Sequence, residues 1–248
     1  MSTDLDFDVD GLSPADDDSD HLWRYTWESD YDLLARHDIG EHSFFLTFDT
    51  AATWDVERNP PNIATFDVQR DRAQGTFAMD SFTHANVAFA RKWLADRGCP
   101  PEAMELRTPF APADELTTRT EDQIHRSGER YDLIEVKAAD EDPTQAWTMA
   151  MDKHATELPV RVFIEQSQPD QGTYTVREGA FPDYAAAEDW LDAQSIPLPQ
   201  PPEYRRDADA LRTRAALARS TAPITAAAVV ASAPAAAAVA QPDRGRSL

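Results

Sequence analysis

At 248 residues, 42% of them apolar, the chain is long enough for one large core or two small ones and too apolar for a wholly disordered protein. A formal net charge of −22 repels phosphate backbones, so the core is not expected to bind nucleic acid directly, and a basic protein surface is the partner that the charge fits. The single cysteine, Cys99, excludes an intrachain disulfide and suits a reducing, cytoplasmic setting.

The charge is uneven. Residues 1–20 hold eight Asp and no basic residue, and this composition predicts a disordered acidic tail without a signal peptide. Within it, Asp6, Asp8, Asp10, Gly11 and Asp17 follow the spacing of a calcium loop. Ser13 stands where that loop carries an apolar residue, Pro14 disturbs the next turn, and Asp17 is shorter than the usual Glu. A solvated tail explains the run more simply.

From Leu22 the pattern becomes that of a folded body. Trp23, Tyr25 and Trp27 alternate with polar residues, the period of a half-buried strand, and a short helix is expected over 31–36. His37 and His42 could reach one metal only with Asp38 or Glu41 as further ligands, a weaker reading than surface or capping roles. Strands are then predicted at 44–48, 53–57, 63–68 and 75–79, followed by a helix over 83–97 whose apolar face is Phe82, Phe89, Trp93 and Leu94. Cys99 lies outside any reactive-thiol context and reads as structural.

Residues 100–130 read as a linker with a polar helix near 113–126. Beyond it the order repeats: strands at 131–138, 146–152, 159–166 and 172–176, and a helix over 183–194, although 143–151 fits the start of a helix equally. A shift of 97 residues places Gln74–Phe77 on Gln171–Tyr174 and Trp93-Leu94 on Trp190-Leu191. Nine of the 32 positions from Ile63 to Leu94 are identical, where about two are expected by composition. Trp54 and Trp147, near the second strand of each copy, are taken as equivalent. The fold class that follows is α+β, a tandem duplication of antiparallel ββββα-like sheet-plus-helix units, residues 21–99 and 131–195, with disordered termini. That order of elements resembles the order in Whirly and PUR-repeat nucleic-acid binders, whose binding motifs are absent here.

Residues 196–248 are expected to form a Pro/Ala-rich tail with a basic helix over 203–219. The uncharged stretch 222–240 is mostly Ala, with Pro223 and Pro234, too weakly apolar for a membrane span. Glu135-Val136-Lys137 forms the E-x-K half of a metal-dependent nuclease strand, with Asp114 or Asp122 as the missing carboxylate; alternating charge on an exposed strand accounts for it equally. With eight glycines and no P-loop, G-x-G-x-x-G or G-x-S-x-G, the chain carries no phosphate-cradling loop or nucleophile elbow, and no cofactor is expected. The function expected is that of a non-enzymatic acidic interaction or regulatory protein that binds a basic partner, with nucleic-acid mimicry one form of it. The alternatives are a metal-dependent nuclease or hydrolase at Glu135 and Lys137, or a nucleic-acid-binding module built on the two platforms.

Overall fold

In the computed structural model, residues 5–52, 61–104, 106, 111–139, 142, 144–194, 196–204 and 212 are described. The duplication is shown, and it is longer than the sequence shift suggests. Each copy runs strand, helix, four antiparallel strands, helix. In the first these are β1 (Ser13–Pro14), α1 (Asp17–Tyr25), β2 (Tyr31–Ile39), β3 (His42–Asp49), β4 (Ile63–Asp71), β5 (Thr76–His84) and α2 (Val87–Asp96). In the second they are β6 (Ala111–Pro112), α3 (Glu115–His125), β7 (Tyr131–Ala138), β8 (Gln145–Asp152), β9 (Val160–Gln168), β10 (Thr173–Phe181) and α4 (Tyr184–Ala193). Both sheets have five strands in the same order, β1-β5-β4-β3-β2 and β6-β10-β9-β8-β7, with the two-residue strand parallel at one edge.

The helices start where their caps dictate. Asp16 accepts from Ser19 N (2.7 Å) and Asp114 from Thr117 N (2.9 Å), satisfying first-turn donors of α1 and α3, while Asn86 and Asp183 do the same for α2 and α4. Ser19 and Thr117 then turn their hydroxyls to the sheet and accept from Met79 N (3.0 Å) and Val176 N (3.2 Å), which ties each helix to the last strand of its copy.

Several expectations are corrected. Residues 5–20 are not a structureless tail: Leu5, Phe7 and Val9 enter a core with Phe45, Phe66, Val68 and Phe77. Their period-2 alternation buries three apolar side chains and leaves the intervening acids outside. Residues 23–25 lie in α1, not in a strand, because Ser19, Leu22 and Trp23 form a helical i, i+3, i+4 face. Residues 31–36 belong to β2, not to a helix. Residues 113–126 do hold the expected helix, but it belongs to the second sheet unit, not to a linker. The predicted strand 53–57, Trp54, the basic helix beyond 204 apart from residue 212, and the Pro/Ala-rich tail beyond 204 fall outside the described residues. The register equivalent of Trp147 is Phe44, opposite Asp67 as Trp147 is opposite Ile164.

One helix serves two sheets. Val87, Ala90 and Leu94 of α2 pack on Ala35, Phe44 and Leu46 of the first sheet, while Ala88 and Phe89 pack against Ile124 of α3 and Tyr131, Ala150 and Phe163 of the second sheet. Both sheets accordingly lie within one unit, residues 1–205. At the other end α4 covers Trp147, Met149, Val162 and Phe181, and among its residues only Ala187 is buried. Where α2 carries Phe89 and Lys92, α4 carries Ala186 and Asp189, so it has no phenylalanine to insert into a further sheet.

Beyond α4 the chain folds back along β10. Ala180 N donates to Pro199 O (2.9 Å), and Leu198 packs into the core under α4. A Cβ at Gly179 would sit 2.5 Å from Leu198 Cδ1 and 2.9 Å from its Cγ. Gly179→Ala is therefore expected to cost about 1–3 kcal/mol in urea unfolding, and Gly179→Ala with Leu198→Ala to cost less than the two single changes summed. Strict additivity would mean that the two sites do not touch.

Candidate functional site

The repeat makes each copy a control for the other, and the sharpest contrast lies where the first turn of α1 or α3 meets the last strand. In the first copy, Asp16, Asp18, Ser19, Asp67, Gln69, Ala78, Met79 and Asp80 line a cleft of about 260 Å³. Asp67 is buried and paired with His42, and Asp80 is held at 2.7 Å by Arg97. Among the described residues no cation pairs with Asp16 or Asp18. Hydrogen bonds from the Ser19 N–H and hydroxyl hold the Asp16 carboxyl below the usual carboxylate range, so it is charged at neutral pH.

The second copy fills the same place from within. Arg177 is the residue that the 97-residue shift sets on Asp80, and it forks onto Asp114, the counterpart of Asp16. Its Nη1 also donates to Thr117 Oγ1 (2.9 Å), the counterpart of Ser19. The Thr117 N–H and this guanidinium lower the Asp114 carboxyl to about 2. The helix-start carboxylate and hydroxyl thus form a guanidinium seat, occupied in one copy; in the other the Asp16 carboxylate is exposed, Ser19 lies buried beside it, and a further acid stands in place of the arginine.

The chain matches no family model, no curated protein and no solved structure. Its own second copy is therefore the nearest guide to the chemistry of the first.

The other sequence candidates are not brought together. Among the described residues no group of three or more His, Cys, Asp or Glu is arranged to hold a metal. Asp8 of the calcium-like run pairs with Arg72 (2.6 Å), and Asp17 lies in the first turn of α1. Asp38 binds Arg36 and Ser43 instead of joining His37 and His42 on an ion. Glu135 pairs with Lys137 (2.6 Å) and accepts from the Tyr184 hydroxyl (3.1 Å). Neither proposed carboxylate partner reaches it, because Asp114 is taken by Arg177 and Asp122 by Arg126. Burial pushes the Cys99 thiol up to about 11, consistent with a structural role. Among the described residues no helix is long and apolar enough to cross a membrane, and 222–240 lies outside them.

Sequence reasoning missed a buried ionic cluster on the α3 side of the second sheet. Arg161, 1% exposed, lies 2.9 Å from Asp152, 2.6 Å from Glu203 and 3.4 Å from Glu178. Arg130 grips Asp152 through two bonds of 2.8 and 2.6 Å. Tyr204 and Gln123 donate to Glu178 at 2.6 and 2.9 Å. Burial would raise Asp152, but these guanidinium bonds and the His154 N–H hold it below its ordinary value; burial raises Glu178, against the bonds from Tyr204 and Gln123. The available signal was Arg161 and Glu165 flanking Phe163 in an otherwise apolar run, where the first copy has Ala64, Phe66 and Val68. Charges on the inward side of a core strand mark an internal network.

Proposed function

We propose that this chain is a non-enzymatic interaction protein whose α1 cleft receives an arginine or lysine side chain of a basic protein partner. The observation that carries the reading is Arg177: the second copy holds a guanidinium between Asp114 and Thr117, and the first presents Asp16 and Ser19 in the same relation, with Asp80 in the place of the arginine. A carboxylate that cannot lose its charge near neutral pH, a serine hydroxyl and a cleft of about 260 Å³ suit a planar donor fork at the end of a long side chain. The overall charge of −22 would steer such a partner from a distance at low salt.

The test is titration of a labelled oligo-arginine peptide, followed by fluorescence anisotropy at low and high salt. Asp80→Arg gives the first copy the arginine of the second and is expected to fill the cleft and weaken binding at least tenfold. Arg177→Asp is expected to open a second site. Glu188→Arg makes the same change of charge on the outer side of α4 and serves as the control. If Glu188→Arg weakens binding as much as Asp80→Arg, the acidity acts as a diffuse field and the cleft is not the site.

A further inference from the structure

The two sheets also share an aromatic box, and its occupants differ. In the second sheet Tyr131 stands edge-on to Phe163 (5.2 Å), and Phe89 of α2 enters edge-on to the same ring (5.1 Å). In the first, Tyr31 stands edge-on to Phe66 (5.1 Å), and the incoming ring is Phe7 (5.0 Å), which also meets Phe45 (5.2 Å). Phe66 and Phe163 are equivalent under the 97-residue shift, and Tyr31 and Tyr131 each open the first long strand of their sheet. Each box therefore takes a phenylalanine from an element that precedes its sheet: a helix in one case, the extended residues 5–9 in the other.

The residues 5–9 are held in the way a peptide is held. Their apolar side chains alternate into the sheet while the backbone carbonyls face arginines. Arg70, buried, donates from Nε to Phe7 O (3.1 Å) and Asp8 O (2.8 Å), and Arg36 donates to Asp6 O (3.2 Å). The Asp8 carboxylate is met by Arg72 at 2.6 Å. Arg70 and Arg72, with Arg36 shared with Asp38, thus put positive charge along the carbonyl side of the groove, while Glu28 accepts from the Phe7 N–H at 3.2 Å. Asp8 adopts φ +53°, a left-handed conformation uncommon for a residue with a side chain, so the resident segment sits in the groove under local strain. Carbonyl contacts with alternate side-chain pockets tolerate other sequences of the same pattern.

We infer that the Tyr31–Phe66 box and its arginines form a docking groove for an extended partner peptide, which carries a phenylalanine with aliphatic residues two positions to either side and an acid directly after the phenylalanine. Residues 5–9 occupy that groove in cis and a partner segment displaces them. A second copy stacked through α4 is not the occupant, because α4 has Ala186 where α2 carries Phe89. This groove is a different surface from the acidic cleft and takes a ligand of opposite charge, so either proposal can fail alone.

The experiment uses a fluorescent peptide of residues 1–12 with the full chain and its Leu5→Asp/Phe7→Asp variant. The variant, its own segment expelled by two buried charges, is expected to bind the peptide saturably and at least tenfold more tightly than the wild type, in which the cis segment competes. A peptide with Phe7→Asp is expected not to bind. If the variant does not fold, the wild type with a protease site placed after Leu12 is cut and diluted. Exchange of the cleaved segment for labelled peptide, with the circular dichroism of the body retained, supports the groove. Loss of the folded spectrum on release of the segment overturns it, since residues 5–9 would then be a permanent part of the core. A concentration-dependent dimer of the wild type, abolished by Phe7→Asp, would assign the groove to exchange of residues 5–9 between copies and overturn a foreign partner.

Discussion

Arg161→Ala is expected to lower the unfolding free energy by about 3–5 kcal/mol, the usual cost of stranding buried charges by removing one partner. The side chain is 1% exposed and stands between two carboxylates that are 0% exposed, so its loss leaves Asp152 with Arg130 and leaves Glu178, among the described residues, with only the more distant charge of Arg130. Water can enter such a vacancy but cannot replace the charge. The cluster also binds the returning segment, because Arg161 and Arg130 both meet Glu203, and Tyr204 donates to Glu178. Arg161→Ala should therefore free residues 196–204 as well, with raised protease sensitivity there at denaturant levels where the body is still folded. Urea unfolding of the variant, with the slope unchanged, provides the measurement. A loss below 1 kcal/mol would mean that Arg130 neutralises the site by itself. The triple change Arg161→Met, Asp152→Asn, Glu178→Met is expected to recover most of the loss, since uncharged groups of similar volume need no counter-ion.

Why that cluster was invisible while the sheets were not follows from what a sequence pattern records. The strands 131–138, 146–152 and 159–166 were legible because β-branched and aromatic residues cluster there between turn residues, and the structure places β7, β8 and β9 within a residue or two of them. β2 does not show as a strand in the sequence because its register shifts between Leu33 and Ala35, so Leu34 interrupts the alternation; the same irregularity falls between Leu133 and Glu135 in β7. A bulge adds one residue and erases the period of two on which the reading depends, while blunting an edge strand against pairing with other chains. A gapless shift of 97 residues reveals the repeat only as far as the first insertion. Pro14-Ala15-Asp16 matches Pro112-Ala113-Asp114 at 98, and the helix starts, the guanidinium seat and its occupant all lie upstream of that break or depend on it. The aromatic box needed partners 35 residues apart within a sheet and a ring from another element, information that exists only once the register is set.

Glu165→Gln is expected to flatten the dependence of stability on pH between about 4.5 and 8. Burial, then repulsion from Glu121, raises the Glu165 carboxyl to about 8 from an ordinary 4.5, against a lowering hydrogen bond from the Val87 N–H at the start of α2. Glu121 on α3 and the Tyr174 hydroxyl on β10 act on it, the hydroxyl donating to Glu121 at 2.5 Å, and Arg91 on α2 acts in turn on Glu121 and Tyr174. Between the two values the folded chain keeps a proton that the unfolded chain has released, so the wild type loses stability as the pH rises, by at most about 1.4 kcal/mol per pH unit from this group. Asp16, Asp114 and Asp152 act with the opposite sign, because their lowered values place their contribution above the ordinary carboxylate range and lose it only on acidification below that range. The two windows barely overlap. A glutamine keeps the shape and the acceptor for Val87 N and carries no charge, so the variant should match the wild type near pH 5 and exceed it by up to about 3.5 kcal/mol near pH 8. Urea unfolding at both pH values decides it, and parallel profiles would show that Glu165 titrates as an ordinary carboxylate. The position explains why one group should matter so much: Glu165 belongs to the second sheet and Val87 to the helix that the first sheet shares with it. A proton lost at that contact therefore acts on the packing that joins the two copies.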